Sequence, residues 1–279
     1  MKFRTEICHI PSGFKISHDD RIVMLGSCFS DNIGERLAQD GFQVVHNPLG
    51  PLFNPESILN VLRRISAEDY LYGPEDLVAH DGCFHCLDFA SRYQGQDSQT
   101  LLNQLNQEFA QLRSAISDAT VLIITFGTNK VFRYQGATVG NCHKLPSSFF
   151  TTEFLKISEI VSPWLENFHF KGKLIFTLSP VRYPGDGLPQ STLSKSTLRV
   201  AIDEIVSALG ADYFPAYEIL NDDLRDYRFY GPDLRHPSDM AVDYVYECFA
   251  DTYFDKSTKG RAAECHRQFL RNNHRPIIK

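Results

Sequence analysis

Two short segments near opposite ends of the chain carry residue types that together can do acyl chemistry. The first is GSCFS (26–30), where the apolar run RIVMLG (21–26) ends on a glycine. Gly26 permits an abrupt turn from strand to helix, so Ser27 and Cys28 fall at a helix N-terminus with outward-facing backbone N–H groups. That position lowers the pKa of a thiol and stabilises an oxyanion. The same residues also suit a plain N-cap, with Ser27 or Ser30 capping and Cys28 as a small core residue. The second segment is GPDLRHPSD (231–239). Asp233 and His236 lie three apart, just before Pro237, which suits the first position of a helix. A carboxylate this near can hold the imidazole Nδ1–H and leave Nε2 free as a base, and a helix N-terminus keeps that base neutral. Taken alone, the segment also reads as a surface turn with a capping Asp. A nucleophile early and Asp-x-x-His late is a hydrolase ordering.

Other strand ends are polar: HNPLG (46–50), GTN (127–129) and SPVR (179–182). Arg182 at one of them, and Ser194-Lys195 at the start of the next helix, can hold a substrate carboxylate or phosphate, or equally form a structural ion pair. Arg228, between Tyr227 and Phe229, is expected to brace the catalytic loop through Asp226. Cys83-x-x-Cys86 with His80 and His85 suggests zinc, but a second Cys-x-x-Cys is missing and HDGCFHC alternates like a hairpin strand. No metal is expected, and without a P-loop, GxGxxG or HExxH no cofactor is expected either.

Five short apolar runs read as buried strands: 21–26, 42–48, 120–127, 173–180 and 211–215. Between them, helical spacing predicts helices over 30–39, 55–65, 100–116, 150–168 (interrupted at Pro163), 193–209 and 240–253. Apolar strands alternating with amphipathic helices predict a parallel sheet covered on both faces, a doubly wound α/β fold of strand order 2-1-3-4-5. Sites in such sheets form at the carboxyl ends of the strands. The expected organisation is a single domain over 1–253, with an irregular insertion or small hairpin near 66–98 and a basic appendage over 254–279.

The chain has 279 residues, 43% hydrophobic and 22% charged, ordinary values for a globular protein. Its net charge of −6 excludes a global basic field for nucleic acid. From Phe254 on, seven Lys/Arg face Asp255 and Glu264, a net of +5, so the rest carries −11. That end reads as a solvated helix lying on the acidic body. Seven scattered cysteines, no secretory leader and no apolar run near 18 residues point to a reducing cytoplasm and no membrane span.

The chain resembles the GSCFA family, a branch of the SGNH (GDSL-like) hydrolase superfamily. The resemblance rests on GSCFS (26–30), NPLGPLFNPESI (47–58), GNCHK (140–144), TLSPVR (177–182), LSKSTLRVAI (193–202) and the segment 213–244, and spans roughly residues 20–250. It implies a flavodoxin-like three-layer α/β/α sandwich and ester chemistry by a nucleophile–His–Asp mechanism, with His236 as base and Asp233 as its orienter. Aligned without a gap, Cys28 falls on the superfamily's nucleophilic serine; a one-residue shift places Ser27 there instead. The resemblance implies oxyanion donors at Gly50 and at Asn129 of Gly127-Thr128-Asn129, or at Asn141, with His143 of the same GNCHK block reaching the substrate. The implied substrate is a small-molecule or glycan ester, hydrolysed or transferred, with acyl-CoA as donor in the second case. The alternative is an inactive binding module for a glycan or nucleotide-like ligand.

Overall fold

The structure, a computed structural model, describes residues 4–7, 10–67 and 69–273. Strand β1 (Arg21–Gly26) is buried beyond its first residue, as an unbroken apolar run requires. Helix α1 (Cys28–Gln39) follows at once, and β2 (Gln43–His46) runs parallel to β1. Helix α2 (Pro55–Ser66) starts on Asn54, whose Oδ1 accepts the Ser57 N–H at 2.8 Å. Three short strands, β3 (Val78–His80), β4 (Cys83–His85) and β5 (Gln94–Gly95), form an antiparallel sheet inside the 66–98 stretch. Helix α3 (Ser98–Asp118) leads into β6 (Val121–Phe126), buried throughout. A second antiparallel sheet, in the order β8-β7-β9, comes from β7 (Lys130–Tyr134), β8 (Ala137–Val139) and β9 (Phe150–Phe154). Then come α4 (Ile157–Asn167), β10 (Lys173–Leu178), α5 (Leu188–Leu209), β11 (Asp212–Phe214), the single turn α6 (Ala216–Glu218), α7 (Asp239–Tyr253) and α8 (Lys256–Asn273).

Five strands make one parallel sheet in the order β2-β1-β6-β10-β11. Alternate residues along them serve two cores. Val23, Leu25, Leu122, Ile124 and Phe176 join a cluster with α2, α3, α4 and α5; Ile22, Met24, Ile123 and Ile175 join another with α1 and α7. Period-two alternation with both faces apolar is what turns each strand into a continuous hydrophobic run.

Three expectations need correction. The strand order is 2-1-6-10-11 rather than 2-1-3-4-5, because six strands outside the parallel sheet intervene along the chain. The helix expected from Phe150 starts only at Ile157: FTTEF, with its aromatic and β-branched residues, pairs with β7, and Pro163 lies inside α4. Pro237 does not open α7. Ser238 is the N-cap there, its Oγ accepting the Ala241 N–H at 3.3 Å, while Pro237 bridges to Tyr230. Cys8, and Arg275 and Lys279 of the basic end, lie outside the described residues; the other six cysteines form no disulfide among the described residues. No helix among the described residues is long and apolar enough to cross a membrane.

Candidate active site

β1, β6 and β10 end side by side, and a cleft of about 460 Å³ opens there. Its lining includes Ser27 and Cys28 after β1, Gly127 and Thr128 after β6, and Ser179, Val181 and Arg182 after β10. Asn141 and Cys142 come to it from the loop after β8, and Arg235 and His236 from the loop before α7. The turn at Gly26 is sharp because the backbones of β1 and β6 meet there. Gly26 has φ +139°, and a Cβ on it would lie 2.1 Å from the Thr125 carbonyl oxygen. Asn47, buried just after β2, clasps this turn: its Oδ1 accepts the Gly26 N–H at 2.9 Å and its Nδ2 donates to the Ser27 carbonyl at 3.2 Å. Sequence reasoning missed Asn47, although an Asn directly after a strand, in HNPLG, was the signal.

The two nucleophile candidates are not equivalent. Ser27 is buried and acts as the N-cap of α1, its Oγ accepting the Phe29 N–H at 3.3 Å. Cys28 is half-buried, at the first helical position. Its thiol is not lowered as the helix N-terminus alone would dictate. Burial pushes it up and Asp31, one turn on, adds to this, outweighing the backbone N–H groups of Cys28 and Phe29 that favour the thiolate.

The candidate pair Asp233 and His236 makes the hydrogen bond that its spacing suggests. His236 Nδ1–H donates to Asp233 Oδ2 at 2.6 Å, and Asp233 Oδ1 accepts the N–H groups of Arg235 and His236 at 2.9 and 3.0 Å. These donors, the imidazole first, hold the Asp233 carboxyl well below the usual range. Leu234 takes a left-handed φ of 55° so that the loop can double back. The loop is closed by Gly231 N–H to the His236 carbonyl, 2.8 Å, and by Ser238 N–H to the Phe229 carbonyl, 2.8 Å. Nε2 of His236 has no hydrogen-bond partner among the described residues, Cys28 and Ser27 included.

The structure sorts the oxyanion candidates. Gly50 is not brought to the cleft; its N–H donates to the Asn47 carbonyl at 2.8 Å in a turn packed on Ala90. Asn129 is buried outside the lining, its Nδ2 donating to the Leu155 carbonyl at 2.8 Å and its N–H to Ser194 Oγ at 3.0 Å. The Gly127 N–H is also occupied, by the Phe53 carbonyl at 2.8 Å. Asn141 does line the cleft. Its Oδ1 is fixed by the His143 N–H at 2.8 Å, which leaves Nδ2 without a partner among the described residues. The Cys28 N–H, at the first helical position, makes no backbone–backbone hydrogen bond among the described residues and acts on its own thiol, which makes it the second candidate donor. His143 itself does not reach the cleft. It is buried edge-on to His85, with Nε2 on the Phe89 carbonyl at 2.9 Å, and burial lowers its pKa.

Of the two expected anion-binding residues only Arg182 lines the cleft. It donates to Tyr227 Oη at 3.1 Å and lies over the rings of Tyr227 and Tyr230. Lys195 lies behind the cleft floor rather than at a helix start, since α5 begins seven residues earlier. Its Nζ donates to the carbonyls of Gly127 and Ser179, both at 2.7 Å, and burial lowers its pKa to about 7. Arg228 pairs with Asp226 as expected. Cys83 and Cys86 belong to the β3–β4 hairpin and its continuation, burial pushing Cys86 up to about 12. No group of three or more His, Cys, Asp or Glu able to hold a metal is assembled among the described residues.

A search of curated proteins finds no match to the chain. The profile of the GSCFA family matches residues 21–249, from the first residue of β1 into α7, and takes in every residue named above on the cleft. The chain belongs to the GSCFA family.

Proposed function

We propose that the cleft hydrolyses or transfers an ester-linked acyl group by a nucleophile–His–Asp mechanism of the SGNH type. The observation that supports it is the presence on one cleft of Cys28, Asn141 and His236, the last held by Asp233. Cys28 Sγ attacks the acyl carbonyl and gives its proton to His236 Nε2. The Cys28 N–H and Asn141 Nδ2 hold the oxyanion. Collapse expels the alcohol, which takes the proton from His236, and water or a second hydroxyl then accepts the acyl group. Asp233 fixes the ring and offsets the imidazolium. Acyl-CoA is the donor chemistry if the step is transfer, and an O-acylated carbohydrate or glycoconjugate is the substrate class carried over from the superfamily. The corresponding fold is a flavodoxin-like three-layer sandwich and the corresponding compartment the cytoplasm. Turnover of p-nitrophenyl acetate tests the scheme. Cys28→Ala and His236→Ala should each lose about 10²-fold or more, the scale of general acid–base catalysis, and Ser27→Ala should keep most activity. Equal rates for wild type and His236→Ala would sink it.

A second reading, an inactive module that binds a glycan or nucleotide-like ligand, is favoured by the raised Cys28 thiol and its lack of a hydrogen bond to His236. It predicts ligand binding without turnover, unchanged in Cys28→Ser.

A further inference from the structure

The cleft has a charge opposite to that of the molecule. The chain carries −6 overall, yet among the described residues no Asp or Glu lines the cleft, while Lys130, Arg182, Arg235 and His236 do. Lys130 is neutralised from outside the cleft by Asp186. Arg182 and Arg235 have no carboxylate partner among the described residues. They are tied together, because the Arg182 N–H donates to the Arg235 carbonyl at 3.0 Å. That bond joins the end of β10 to the loop that carries His236. Arg182 is further held by the Tyr227 hydroxyl and two aromatic rings, which fixes its guanidinium before any ligand arrives. Beside these cations and the polar Asn54, Thr128 and Ser179, the lining carries an apolar group, Phe53, Phe132, Val139, Val181 and the half-exposed Tyr183.

We propose that the ester taken by this cleft is anionic and amphiphilic, with a carboxylate or phosphate held by Arg182 and Arg235 and an apolar segment laid along Phe53, Phe132 and Val181. The proposal rests on the acyl-transfer cleft being the place where the ester is held, and it deepens that reading. Guanidinium groups pair with oxyanions through parallel N–H donors, and two of them beside one histidine select a substrate with charge close to the scissile bond. The general negative charge of the body makes this the favoured landing place for an anion.

Binding tests it without turnover, in the Cys28→Ala protein and by calorimetry at low salt. The probes share a hexyl chain: hexyl phosphate, monohexyl succinate and the neutral hexyl glucoside. At least one anion should bind about tenfold tighter than the glucoside, the effect of one charge-assisted contact. The stronger of the two anions identifies phosphate or carboxylate as the group held. Arg235→Glu should erase that preference and leave the glucoside affinity within twofold; Arg235→Gln serves if the reversal unfolds the loop. Equal affinity for all three probes, or an anion preference that survives in the Arg235 variants, overturns the proposal. Loss of p-nitrophenyl acetate turnover in none of the catalytic variants would sink the acyl chemistry while leaving the anion preference measurable, so the two failures are distinguishable.

Discussion

The Cys28 thiol stands between opposing influences, and their balance has a measurable outcome. Two backbone N–H groups favour its thiolate; burial and the Asp31 carboxylate oppose it and prevail. Iodoacetamide should therefore alkylate Cys28 more slowly than a free thiol at pH 7.5, speeding up well into the alkaline range, and Asp31→Asn should raise the neutral rate a few-fold, read by mass spectrometry. A Cys28 faster than free thiol at pH 7.5 would contradict the burial argument. Ser27→Ala should cost about 1 kcal/mol of stability as a lost N-cap, measured by denaturant unfolding. At this scale the sequence was informative about position and misleading about charge. Gly26-Ser27-Cys28 announced a helix start, and Asp233-x-x-His236 its hydrogen bond. The cleft that the thiol lines, however, is built from segments as remote as Phe53 and Asn141, which no local pattern contains. That Asn141 and not Asn129 lines the cleft likewise goes with partners, His143 and Leu155, that only the folded chain supplies.

Lys195 shows how an element boundary changes the role of a residue. With α5 read from Leu193, it sat at a helix N-terminus as a ligand candidate. Because α5 starts at Leu188, with Pro189 in its first turn, Lys195 is instead one helical turn or more inside and reaches the ends of β6 and β10. Its ammonium pKa falls from 10.5 to about 7 on folding. Between those values the unfolded chain binds the proton and the native one does not, so this group's destabilising effect is full below pH 7 and is relieved as pH rises. From pH 7 to 9 it should add about 2 kcal/mol of stability. Lys195→Met should flatten that rise in urea titrations at the two pH values; an unchanged slope would refute the assignment. The long apolar strands were legible because burial on both faces leaves an unmistakable run. The strands of the two antiparallel sheets, two to five residues long and half exposed, carry no such pattern, and FTTEF was absorbed into the following helix.

The whole molecule joins an acidic body to a basic terminal helix, and the described part of that helix lies on the body. α8 buries only Thr258 and Ala262, with His266 Nδ1 on Asp40 at 2.9 Å and Lys259 on Asp251 at 2.6 Å. Surface pairs and so small an apolar contact contribute little. Ending the chain after Asp255 should lower stability by about 2 kcal/mol or less and leave p-nitrophenyl acetate turnover intact. A larger loss of turnover would give the helix a part in the site. The composition made the charge contrast visible, since seven cations cluster after Phe254. It did not show the reverse contrast at the cleft, because Lys130, Arg182 and Arg235 are far apart along the chain and converge only at the strand ends.

Lys195 also offers a built-in clock. Its amine is sealed beneath the cleft floor with both carbonyl contacts made. An acylating reagent in solution reaches it when the packing of α5 over the ends of β6 and β10 opens. Its labelling rate is then that of an ordinary lysine multiplied by the fraction of time the floor is open. Surface lysines such as Lys259 supply the ordinary rate in the same sample. The ratio of the two reads the opening of the cleft floor directly, and a bound ligand that clasps the strand ends should slow it.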